Sequence, residues 1–136
     1  MSYLFRDHLP NTILLQYDAL LDDELMSVAK SAEQDLTEYG VWIEAVRPLV
    51  EKVGLKWRGR ADWAWDWHIV PGFLMAYTHE ERKLLIDELF RLFREKFGRH
   101  PESVGQRDPR GPGAVIQCHD PCHMLYHIKK FTARRP

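Results

Sequence analysis

An α/β fold assembled from parallel βαβ units is what this sequence predicts, and three observations predict it. The apolar, β-rich run Thr12-Ile-Leu-Leu-Gln-Tyr17 is followed by a helix-patterned segment and then by a second such run, Val41-Trp-Ile-Glu-Ala-Val46. A strand, a helix and a strand within about 35 residues form a βαβ unit, in which the strands are parallel and the crossover is right-handed. A long amphipathic helix over residues 79–97 then leads through Gly98 toward the strand-like Ser103-Val-Gly105, which repeats the pattern.

Each element has a local reason. The first run is largely apolar, as a strand buried on both faces of a sheet would be. Asp22 offers an N-cap carboxylate, and Leu25, Val28, Ala29, Ala32 and Leu36 follow at helical spacing. Gly40 can take the left-handed C-terminal conformation, so one helix with one buried stripe is expected between them. In the second strand Glu44 stands among apolar neighbours. Arg47-Pro48 ends that strand, Pro48 suits the first turn of a short helix through Val53, and Gly54 stops it. Thr78 and Glu81 form a capping box in T-H-E-E. Leu85, Ile86, Leu89, Phe90, Phe93 and Phe97 give that helix a broad apolar face, and Arg94 and Lys96 suit its C-terminal dipole. Gln106-Arg-Asp-Pro-Arg-Gly-Pro-Gly113 has the composition of a linker, and Ala114 to Cys118 is a short strand candidate. Two parts are therefore expected: a partial α/β domain over residues 1–105, and a Pro/Gly-rich linker with a basic, irregular tail over 106–136.

At 136 residues, 45% hydrophobic and 12% aromatic, the chain has material for one domain with a core. Its net charge of −1 creates no global field that would attract nucleic acid or an anionic membrane. The charge is unevenly divided: Arg107, Arg110, Lys129, Lys130, Arg134 and Arg135 against Asp108 and Asp120 make residues 107–136 +4, which leaves −5 elsewhere. No apolar run approaches the roughly 20 residues needed to span a bilayer. With two cysteines, Cys118 and Cys122, and polar residues at Ser2, Arg6 and Asp7 where a leader would be apolar, a cytoplasmic chain with reduced thiols is expected.

Four of the five tryptophans fall between Trp57 and Trp67. On an extended backbone Trp63, Trp65 and Trp67 would share one side, and Asp62, Asp66 and His68 the other. The indoles, with Tyr77, suit stacking on sugar rings, and core packing explains them equally well. Asp66 and His68 can hold a divalent metal or pass a proton, with Glu44 as the third ligand; hydrogen bonding at a loop edge also accounts for them. Asp18 follows the first strand, where catalytic carboxylates sit in barrels, though a turn explains it too. Near the C-terminus, Cys118, His119, Cys122 and His123, with His127 beyond, are an alternative zinc-binding arrangement; a chance cluster is the simpler account.

The motifs T-I-L-L-Q-Y-D-A-L, G-V-W-I-E-A-V-R-P-L, D-W-H-I-V-P-G-F-L-M-A-Y-T and E-K-F-G-R-H-P-E-S-V-G, over roughly residues 10–105, carry a resemblance. They resemble a bacterial branch of the polysaccharide-deacetylase-like, or NodB-homology, family. The resemblance implies a (β/α)7-type barrel and a metal-dependent hydrolase acting on a carbohydrate or its N- or O-acyl group. Active members of that family carry an Asp-Asp pair on the first barrel strand and a His-x-x-x-His metal motif near the third. Here no acidic pair is expected before Thr12, and the strand that would bring the histidines carries Glu44 instead. A partial barrel is thus expected, inactive if it stands as a fragment. The alternatives are a non-catalytic carbohydrate-binding or assembly module, and a structural domain with a metal-binding Cys/His tail. Unpaired sheet edges add the expectation of a homo-oligomer.

Overall fold

The computed structural model describes residues 9–32, 35–60, 62, 74–106 and 114–117. Within them four strands form one sheet, in the order β1 (Asn11–Leu15), β2 (Thr37–Ile43), β3 (Ser103–Gln106), β4 (Ala114–Gln117). The fold is mixed α/β, and β1, β2 and β3 are parallel neighbours as the βαβ pattern requires. β4, expected only as a short strand candidate within the tail, pairs with β3 and runs antiparallel to it, with Ser103 opposite Gln117 and Gln106 opposite Ala114. The cause is the length of the connection. Only residues 107–113 separate the two strands, and a parallel crossover needs about a dozen residues or more.

The first βαβ unit is divided differently from the sequence expectation. β1 ends at Leu15, Thr12 is exposed, and Tyr17 opens a five-residue helix, α1 (Tyr17–Leu21), that buries Tyr17 and Leu20. α2 (Asp23–Lys30) is capped as expected, the Asp22 carboxylate accepting from the Glu24 and Leu25 amides at 2.9 and 3.0 Å. It buries Met26 and Ala29, while Leu25 (43% exposed) and Val28 (36%) face outward. Nor does it reach Leu36 or use Gly40 as a cap, because β2 starts at Thr37 and contains Gly40.

Alternation along β2 sets the two faces of the sheet. Tyr39 faces the helices: its hydroxyl donates to the Ala29 carbonyl at 2.7 Å, and its ring centroid lies 5.0 Å from that of Phe97. α3 (Arg47–Lys52) has Pro48 in its first turn, and Gly54 follows at φ 76°. α4 (His79–Phe97) has the expected bounds, with the Thr78–Glu81 capping box closed and Gly98 left-handed at φ 69°. Leu20, Leu85, Leu89 and Phe93 fill the core between these helices and the sheet. Each such side chain contributes roughly 1.5–3 kcal/mol by leaving water.

The opposite face carries Leu14, Gly40, Trp42, Ser103 and Gly105. A Cβ on Gly40 would come 2.7 Å from Leu14 Cδ2, and one on Gly105 would come 2.6 Å from Leu14 Cδ1 and 2.8 Å from Trp42 Cζ3. Both glycines let large side chains from neighbouring strands lie across them. Beside them the Ser103 hydroxyl donates to the Glu38 carboxylate.

Candidate functional site at the carboxyl edge of the sheet

Trp42 and Glu44 are two residues apart at the end of β2, so alternation directs both side chains to the face away from the helices. Gln16 is the first residue beyond β1, which pairs with β2 in the register Leu15 to Val41 and so brings Gln16 alongside Trp42. The three side chains meet on one oxygen. Glu44 Oε2 accepts from Gln16 Nε2 at 2.5 Å and from Trp42 Nε1 at 3.1 Å, and Glu44 is only 6% exposed. Both of these donors are neutral N–H groups, and they orient that oxygen. Glu44 thus stands, buried, just past the carboxyl end of β2.

A second cluster flanks the tryptophan-rich stretch. The Arg58 guanidinium grips Glu81 with both nitrogens, Nη1 to Oε2 at 2.9 Å and Nη2 to Oε1 at 2.7 Å, and Nη1 also donates to the Ala76 carbonyl. Glu81 accepts from the Thr78 amide at 2.8 Å as well. The Arg58 contacts, and then the Thr78 amide, hold the Glu81 carboxyl below the usual carboxylate range. Arg58 thereby ties the segment before residue 61 to the segment after residue 73. Its guanidinium carbon lies 4.8 Å from the centroid of Tyr77, a residue 2% exposed whose hydroxyl meets no geometric hydrogen-bond partner among the described residues. Burial pushes that phenol up, and the neighbouring Arg58 backbone and charge partly offset the rise.

Of the residues expected to form a site, the structure places three. Glu44 stands at the carboxyl edge with Gln16 and Trp42. Tyr77 packs in the core beneath Arg58. Asp18 is exposed on the first turn of α1, where its carboxylate accepts from the Ala19 amide at 3.0 Å. Trp63, Trp65, Trp67, Asp66 and His68 lie outside the described residues, as do Cys118, His119, Cys122 and His123. Sequence reasoning missed Gln16 and Trp42. The alternation Gly40, Trp42, Glu44 was a signal for the second, whereas Gln16 needed the strand register.

Among the described residues no three His, Cys, Asp or Glu side chains come together as a metal-ligand set. The carboxylate, amide and indole at Glu44 are not such a set either, since an indole N–H can only donate. Also among the described residues, no helix is long and apolar enough to cross a membrane. No protein-family model, no curated protein and no solved structure matches this chain.

Proposed function

We propose that this chain is a carbohydrate-acting, hydrolase-like protein of the polysaccharide-deacetylase-like kind, working in the cytoplasm, with its site at the carboxyl edge of the parallel strands. The observation that carries this reading is Glu44, a carboxylate 6% exposed at the end of β2 and fixed through one oxygen by Gln16 and Trp42. Barrel enzymes keep their reacting carboxylates at this end of their strands. The order of β1, β2 and β3 supports the (β/α)7 part of the proposal, and the antiparallel β4 beside β3 does not. β1, β2 and β3 are neighbours in chain order, and α2 and α4 both pack against Tyr39 on one face, as in a singly wound barrel.

In this reading Glu44 accepts a hydrogen bond or a proton from a sugar hydroxyl or an attacking water. The resemblance implies a divalent metal such as zinc, and Glu44, Asp66 and His68, the set suggested by their spacing in the sequence, would be its ligands; the role given to Glu44 here does not pass through it. The test is acetate release from N-acetylated oligosaccharides by wild type and Glu44→Gln. A loss of about 100-fold or more in the variant, with its unfolding midpoint near wild type, is the expected result. Full activity in Glu44→Gln would remove Glu44 from the chemistry.

The alternative, a non-catalytic carbohydrate-binding module, is favoured by one detail. An oxygen that already accepts two hydrogen bonds is better placed to orient a ligand than to take its proton. Oligosaccharide binding with no acetate release is the result expected from that alternative.

A further inference from the structure

Trp42 lies across β3 because β3 has no side chain at the opposing position. Trp42 is paired in register with Gly105, and a Cβ there would meet the benzo edge of the indole at Cε3 and Cζ3. At its other end the indole N–H is held on Glu44 Oε2 at 3.1 Å. Leu14 of β1 also reaches the space over the same glycine, and the indole, held at its N–H, is only partly buried. A carboxylate and a primary amide stand at its edge. An aromatic ring beside a few fixed polar groups suits a pyranose, whose C–H face is apolar and whose rim is hydroxylated.

We propose that the Trp42 indole is the platform on which one pyranose ring of the ligand stacks, with Glu44 and Gln16 contacting the hydroxyls at its rim and Gly105 setting the height of the ring. This rests on the carbohydrate reading above and adds to it the residue that gives the sugar its surface. It also separates roles: Trp42 supplies contact area, and Glu44 supplies orientation.

Two measurements test it. Calorimetric titration with N-acetylated chito-oligosaccharide compares wild type with Trp42→Phe and Trp42→Leu. Hydroxyl-radical footprinting of the unaltered chain, with and without the sugar, reads oxidation of Trp42 by mass. Trp42→Phe keeps the affinity within about threefold, and Trp42→Leu loses about tenfold or more, because the aromatic face is worth roughly one decade. Saturating sugar protects Trp42 from oxidation. If Trp42→Leu binds within about twofold of wild type, or if the sugar leaves Trp42 unprotected, the platform is overturned while the carbohydrate reading stands. If the wild-type chain binds no oligosaccharide, both are overturned. Should Trp42→Leu fail to fold, the footprint decides by itself.

Discussion

Among the described residues, Tyr17 and Glu88 make stability depend on pH. The Tyr17 hydroxyl donates to Glu88 Oε1 at 3.0 Å, and burial, reinforced by that carboxylate, pushes the phenol from 10.0 to about 12. The raised folded value makes this contribution to stability complete below pH 10.0, and it is lost as pH rises toward about 12. Tyr17→Phe lessens the alkaline fall, to which Tyr77 also contributes, and costs about 1 kcal/mol at neutral pH, readable by urea unfolding across the two ranges. Glu88 behaves oppositely. Arg91 bonds it at 2.6 and 2.9 Å and holds its carboxyl below 4.5, so its contribution is present above that value and is lost in acid. At this scale Glu44 was legible in the sequence, a lone carboxylate in an apolar strand. Gln16 was not, because nothing local ties it to a residue 28 positions away.

Elements whose signals are all local were read correctly from sequence, and those decided by packing were not. α4 shows its N-cap, its apolar period and its terminal glycine within one continuous segment, so its bounds followed directly. Thr78→Ala should cost about 1 kcal/mol by opening the capping box, without changing the fold seen by circular dichroism. Gly40 is the opposite case. Its local context is that of a helix C-cap, but β2 claims it because Leu14 and the Ser103 carbonyl occupy the space of its missing Cβ. The same logic at Gly105 predicts that Gly105→Ala costs about 1–3 kcal/mol by overpacking and displaces the Trp42 indole. An unchanged unfolding midpoint and unchanged tryptophan emission in Gly105→Ala would contradict the packing described for that face. α1 escaped the sequence because five residues are too few to show a helical period.

At the scale of the whole molecule, the sequence predicted α/β class and parallel neighbours, while the direction of β4 depended on the shortness of the link before it. β1 and β4 are the outer strands among the described residues. A strand edge can pair with another chain, and the proposed homo-oligomer predicts a species heavier than the 16.1 kDa monomer in sedimentation velocity. The proposed site lies at the carboxyl edge around Glu44. Its most direct test is an isotope-labelled chain titrated with N-acetylated chito-oligosaccharide and followed by NMR. The expected result is that the largest shifts fall on the Gln16 side-chain amide, the Trp42 indole N–H and the backbone of residues 43–46. Shifts confined to α4 or the helical face of the sheet, or no shifts at all, would contradict it.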